Sequence, residues 1–178
     1  MDKDAILTDI VQNGGKENFG LLVNKYKDQL YSFIYYSVKD EDAAGDILQD
    51  SFLKAFEHLS EYKYREEGKF KAWLFTIARN KITDHFRSVS KIVQLDEEDV
   101  FPSKDNTASA ALGNISLKEI NDFILRLPRE QGEVILLRQY LSFKEIAAVL
   151  GCPLGTVLAR MSRGLKKLHQ FMGEDYAL

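Results

Sequence analysis

The stretch Lys69–Arg87, KFKAWLFTIARNKITDHFR, constrains the fold more than any other part of the chain. Its apolar residues Phe70, Trp73, Leu74, Ile77, Ala78, Ile82 and Phe86 recur at the helical period, so one stripe faces a core. The opposite side carries Lys71, Phe75, Arg79, Asn80, Thr83 and Arg87. Phe75 and Arg79 lie off the stripe, where burial gives no reason for an aromatic. Arg and Lys can hold phosphates, Asn can read a base edge, and an aromatic ring can stack on an unpaired base. The plainer reading is a core helix with a charged outside, and periodicity alone leaves both open.

The rest of the chain is helical in the same sense. Pro is scarce, β-branched runs are short and helix formers are common, which predicts an all-α protein of one or two domains. Charge is unevenly distributed. Asp28 to Glu61 holds two bases against eight acids, and Lys63 to Arg87 holds seven bases against three acids. Thr156 to Lys167 holds Arg160, Arg163, Lys166 and Lys167 with no acid. One acidic and two basic patches imply separate partners for separate surfaces. The single cysteine, Cys152, allows no intramolecular disulfide. The histidines His58, His85 and His169 have no cysteine or carboxylate at ligand spacing, so neither a metal nor a cofactor is expected. The N-terminus lacks an apolar signal core and no run reaches membrane-spanning length, so a cytoplasmic location without membrane insertion is expected.

In chain order, Met1–Lys16 reads as an amphipathic lead-in. A helix from about Glu17 to Val38 follows, with Phe19, Leu22, Val23, Tyr26, Leu30, Phe33 and Ile34 as its stripe. Asp40, Glu41 and Asp42 open the next helix, where acids suit the positive end of the dipole. Its buried stripe is Ala44, Ile47, Leu48, Phe52, Ala55, Phe56 and Leu59, and another face carries Asp42, Asp46, Gln49, Asp50 and Leu53. Tyr62 to Gly68 breaks the periodicity and reads as a loop. After Arg87 the pattern stops, and Ser88 to Gly113 has linker composition.

Pattern resumes at Asn114. Leu117, Ile120, Ile124 and Leu127 make one helix that Pro128 ends, and a second starts near Arg129 with Val134, Leu137 and Tyr140. Ser142 and Glu145 form a capping box for a third, which stops at Gly151. The fourth, Pro153–Gln170, is expected to pack Val157, Met161, Leu165 and Leu168. Two helices joined by a tight Gly turn form a helix-turn-helix, whose basic second helix suits the major groove.

These residues resemble a known family. F-x-x-W-L-x-x-I-A-R-N followed by D-x-x-R stands here as Phe70, Trp73, Leu74, Ile77, Ala78, Arg79, Asn80, Asp84 and Arg87. D-A-x-D-x-x-Q-x-x-F stands as Asp42, Ala43, Asp46, Gln49 and Phe52. In the second half Leu127, Pro128, Val134, Leu137, Arg138, Glu145, Ile146, Ala147, Leu150, Gly151, Pro153, Gly155, Thr156, Val157 and Arg160 match a further pattern. All three resemble bacterial RNA polymerase sigma factors of the extracytoplasmic-function (ECF) group of the sigma-70 family.

The resemblance implies a non-enzymatic protein that binds core RNA polymerase and promoter DNA, with an anti-sigma factor as a further partner. It implies three parts: residues 1–88 for docking and melting, 89–113 as linker, and 114–178 as helix-turn-helix. Polymerase docking would fall to Asp42, Asp46, Gln49, Asp50 and Leu53. Promoter melting would fall to Tyr62, Lys63, Arg65, Phe70, Trp73, Phe75, Arg79, Asn80, Asp84 and Arg87. The upstream promoter element would meet Thr156, Ala159, Arg160, Ser162, Arg163 and Lys166, with Arg160 and Arg163 as candidate guanine readers. Leu158 and Ala159 depart from the family's pattern, which carries a basic residue and then Ser there.

The linker could span about 85–90 Å when extended. Promoter elements about eighteen base pairs apart are separated by about 60 Å, so both could be occupied at once. A free-standing helix-turn-helix regulator would not need the acidic face or the aromatic-basic helix. A sigma-mimicking adaptor would not need Trp73, Arg79 and Asn80. An enzyme is least expected, since no nucleophile constellation, acid–base pair or phosphate loop is present.

Overall fold

The computed structural model describes residues 15–60, 69–93 and 123–175, and every element among them is helical. A 3-10 turn at Lys16–Asn18 leads into α1, Phe19–Val38. Of the stripe read from periodicity, helix α1 buries Leu22, Tyr26, Leu30, Phe33 and Ile34, leaves Phe19 and Val23 half-buried, and adds Tyr36. It ends at Lys39 in the left-handed region (φ 55°), where the amide donates to the Tyr35 carbonyl at 2.7 Å. A non-glycine residue there costs about 1–2 kcal/mol. The lysine ammonium in turn reaches the Leu125 carbonyl at 3.4 Å, in the other half of the chain.

Helix α2, Glu41–Ser60, follows at once. The Asp40 carboxylate accepts the Ala43 amide at 2.7 Å, satisfying a donor left free at the helix start. Helix α3, Phe70–Val93, is longer than the sequence pattern implied, because regular turns continue six residues past Arg87. Helices α1, α2 and α3 pack on one another through the stripes already named.

In the second half, residues 123–125 end one helical segment before Pro128. Helix α4 is Arg129–Arg138, α5 is Phe143–Leu150 and α6 is Leu154–Asp175. The capping box at Ser142 is complete. Its amide donates to the Glu145 carboxylate at 2.7 Å, and the Glu145 amide donates back to the Ser142 hydroxyl at 3.3 Å. Gly151 (φ 62°) makes the turn between α5 and α6, where any Cβ would be strained. One core expectation fails: Leu165 is 48% exposed. Gly164 takes the inward position instead, close to Ile135 and the Gln131 backbone of α4, and turns its neighbour outward.

The two halves are not apart. Helix α1 lies against α4 and α3 lies against α5, so one buried cluster runs from Leu22 to Val157. The Tyr36 hydroxyl donates to the Leu127 carbonyl at 3.2 Å, and Ser37 lies 3.4 Å from the buried Glu133 carboxylate. Burial holds the Tyr36 hydroxyl well above the usual tyrosine value, with the Glu133 charge adding and Arg129 opposing. Lys71 donates to the Tyr140 carbonyl at 3.1 Å, and the Phe75 and Tyr140 rings stack at 6.0 Å. The Arg129 guanidinium sits 4.5 Å from the centre of the Phe86 ring. Gly132 of α4 meets α1 so closely that a Cβ there would fall on the Tyr36 hydroxyl.

Candidate functional site

The acidic face of α2 is fully presented. Asp42, Asp46, Gln49, Asp50 and Leu53 are all exposed, and Leu53 is 53% exposed although it is apolar. The helical period separates these positions from the buried Ile47, Ser51, Phe52 and Ala55. Asp50 is tied to Lys81 of α3 at 2.8 Å, which leaves Asp42 and Asp46 as the more available acids. Beside this face lies an apolar pocket of about 370 Å³ lined by Phe19, Gly20, Gln49, Phe52, Leu53 and Phe56. Phe19 and Phe56 meet edge-on at 5.1 Å along its wall. Sequence reading assigned both rings to the stripe. Phe56 falls three residues after Leu53 on adjacent turns, and that spacing is the signal that could have placed it here.

The aromatic-basic side of α3 is arranged differently. Phe70 is 1% exposed, held between Tyr26 and Trp73, so it is a core residue and not part of an open surface. Phe75 is 0% exposed, contrary to its expected place on the outer side. It packs between Phe33 of its own half and Tyr140 of the other. Trp73 is half-buried, with its ring 5.8 Å from His58. Asn80, Asp84 and Arg87 are exposed, and Arg87 pairs with Asp84 at 3.3 Å. Arg79 is half-buried; one of its terminal nitrogens donates to the Thr83 hydroxyl, and its Nε is buried with no hydrogen-bond partner among the described residues. Tyr62, Lys63 and Arg65 lie outside the described residues.

Between the halves is a cavity of about 730 Å³. Arg79, Thr83 and Arg87 line it from α3, and Arg129, Glu133 and Arg160 line it from the second half. Glu133 accepts from Arg129 at 2.9 Å, and Glu130 pairs with Arg160 at 3.0 Å. Arg160 is thus half-buried and paired with α4. Its other terminal nitrogen lies 3.8 Å from the Cys152 sulfur, on the inner side. Ser162, Arg163 and Lys166 are exposed, while Thr156 and Ala159 are half-buried.

Among the described residues no cluster of His, Cys, Asp and Glu could hold a metal ion. No single helix among them is long and apolar enough to cross a membrane.

Comparison with known proteins places these faces in context. The family profile described as Sigma-70 region 2 matches residues 22–92, and that described as Sigma-70, region 4 matches residues 117–168. The chain is 33% identical to the ECF RNA polymerase sigma factor BldN of Streptomyces coelicolor, over 95% of this chain and 66% of that protein. It is 30% identical to the RNA polymerase sigma-H factor of Pseudomonas aeruginosa, covering 91% of this chain and 90% of that one. It is also 30% identical to the ECF RNA polymerase sigma-E factor of Escherichia coli, covering 90% and 89%. Among solved structures it is similar to the sigma factor RpoE in complex with the anti-sigma factor NepR from Bartonella quintana. That match has a TM-score of 0.72 and 28% identity, over 88% of this chain and 97% of that one. CnrH in complex with the cytosolic domain of CnrY matches with a TM-score of 0.68 and 26% identity, over 98% and 99%.

Proposed function

Because the chain belongs to the extracytoplasmic-function sigma factors of the sigma-70 family, we propose that it works by dividing polymerase docking, promoter melting and upstream recognition among α2, α3 and α6. It is an RNA polymerase sigma factor: it binds core polymerase, directs it to promoters, aids DNA melting and so initiates transcription. It performs no covalent chemistry, acts in the cytoplasm and has an anti-sigma factor as a regulatory partner. Residues 1–88 form the docking and melting part, 89–113 the linker and 114–178 the upstream-reading part.

One observation carries the division of labour. The α2 face is open in the free protein, whereas Lys71, Phe75 and Phe86 of α3 are engaged by Tyr140 and Arg129 of the second half. Polymerase therefore meets Asp42, Asp46, Gln49 and Leu53 first. The halves then separate, and α3 gains access to the promoter. Arg79 fits this order, because its buried Nε, without a partner among the described residues, suits a charged acceptor such as a backbone phosphate. Each base captured during melting would contribute about 1–3 kcal/mol through stacking.

The test is transcription by core polymerase plus this protein on genomic DNA, with the transcripts sequenced. Starts that share one upstream motif support the reading; transcripts identical to those of core polymerase alone sink it. Dyes on α2 and α6 should also move apart when core polymerase is added.

A further inference from the structure

Helix α6 is the groove-reading helix of the proposed function, and the present inference rests on that reading. In a helix-turn-helix the first turns of the second helix meet the base edges. Here those turns are Leu154, Gly155, Thr156, Val157, Leu158, Ala159, Arg160 and Met161. Val157 is fully buried, and Arg160, the one charged residue among them, is held inward by Glu130. Apart from the half-buried Thr156, what remains on the outside is apolar or small. Leu154 is 40% exposed, Leu158 is 45% exposed, and Gly155 is open beside them.

Leu154, Leu158 and Leu165 recur at spacings of four and seven, so they share one flank of the helix. Gly155, Ala159 and Ser162 form the strip next to that flank, and none of them carries a long side chain. Further along, Arg163, Lys166 and Lys167 are exposed, and no acid occurs between Leu154 and Gly173. The exposed part of α6 thus carries leucines on one flank, small residues beside them and cations further round, with no acid among them.

A leucine cannot hold a phosphate or hydrogen-bond to a base edge. The apolar feature of the major groove is the C5-methyl of thymine. We propose that Leu158, assisted by Leu154 and Ala159, reads thymine methyl groups in the upstream promoter element, and that Arg163, Lys166 and Lys167 hold the flanking phosphates. Specificity at this end of the helix is apolar, in place of the basic and hydroxyl side chains that the family's pattern carries at Leu158 and Ala159.

The experiment uses the holoenzyme, core polymerase plus the full chain. Duplexes are selected from a pool randomised across the upstream element. The best is remade with each thymine replaced singly by deoxyuridine, which removes one methyl and nothing else. At one or two positions the replacement should weaken binding about fourfold, the expected value of one buried methyl. In Leu158→Ala those same replacements should cost nothing, while Leu158→Arg should select a different base there. Uracil replacement that is neutral at every position overturns the inference alone. Weakened core-polymerase binding by Leu158→Ala, with uracil neutral, would mark the flank as a protein-docking face and also overturn it. A pool from which no sequence is selected overturns the upstream-reading function itself.

Discussion

Helices α2 and α3 are neighbours in one bundle, yet they meet the outside differently. The α2 face of Asp42, Asp46, Gln49 and Leu53 is exposed along its length. The matching side of α3 is covered where it bears Lys71, Phe75 and Phe86, and open only at its edge, at Asn80 and Arg87. A surface meant for the first partner must be free before that partner arrives. A surface that binds unpaired bases is aromatic, and an exposed aromatic face is a liability until its ligand is present. On the proposed function, packing it beneath the second half would remove that liability, and the energy of polymerase docking would release it later.

The contrast is broken most directly at Gly132. Gly132→Ala would place a methyl on the Tyr36 hydroxyl, which is pinned to Leu127 and only 3% exposed as a residue. Overpacking there costs about 1–3 kcal/mol, while the substitution itself favours helix in α4 by about 0.8–1 kcal/mol. The halves should separate without unfolding. Hydrogen exchange along residues 71–87 should rise by one to two orders of magnitude, with core-polymerase affinity kept or improved. Unchanged exchange on α3 would mean that the contact does not hold the arrangement.

The other side of the comparison is tested on α2. Asp46→Ala combined with Gln49→Ala should weaken core-polymerase association about tenfold, or 1.4 kcal/mol. Helicity by circular dichroism should stay the same, since both residues are exposed. A competition assay showing equal affinity would remove α2 from its proposed role.

Asn80→Ala sharpens the picture at the open edge of α3. Folding and polymerase binding should be unaffected, and transcription from a duplex promoter should fall severalfold if the amide reads a base. A template already melted across the upstream part of the bubble should rescue it only in part. Phe75→Ala cannot serve as the companion test. Removing a fully buried ring costs about 3–5 kcal/mol of stability and would confound any effect on melting.

The smallest effect concerns the cap of α5. Ser142→Ala should cost about 1 kcal/mol in thermal or denaturant unfolding and leave docking unchanged. Burial pushes the Glu145 carboxyl upward, but hydrogen bonds from the Ser142 hydroxyl and amide, with the charge of Lys71, outweigh it and hold the carboxyl below its ordinary value. A lowered folded-state value stabilises above the unfolded carboxylate pKa and is lost as pH falls through the folded one. Wild type and Glu145→Gln should therefore converge in stability only below about pH 4. Convergence near neutral pH would contradict the assignment.

What the sequence determined by itself is local and periodic. The helices, their buried stripes, the Ser142 cap, the Gly151 turn and the exposed acids of α2 follow from spacing, because each depends on neighbours one turn away. The family was legible for the same reason, its motifs being runs of such positions. What only the tertiary structure decided lies between the halves. Phe75 looked outward because nothing in its own helix covers it, and Tyr140, some sixty-five residues later, supplies the cover. Arg160 looked like a free cation on α6, and Glu130 of α4 lies 3.0 Å from it. Leu165 looked like core until Gly164 took the inward place against α4. In each case the deciding contact comes from another element: α4 meets Arg160 and Gly164, and the turn after α4 supplies Tyr140. Sequence periodicity shows which side of a helix is apolar; only packing shows which neighbour, if any, lies against it.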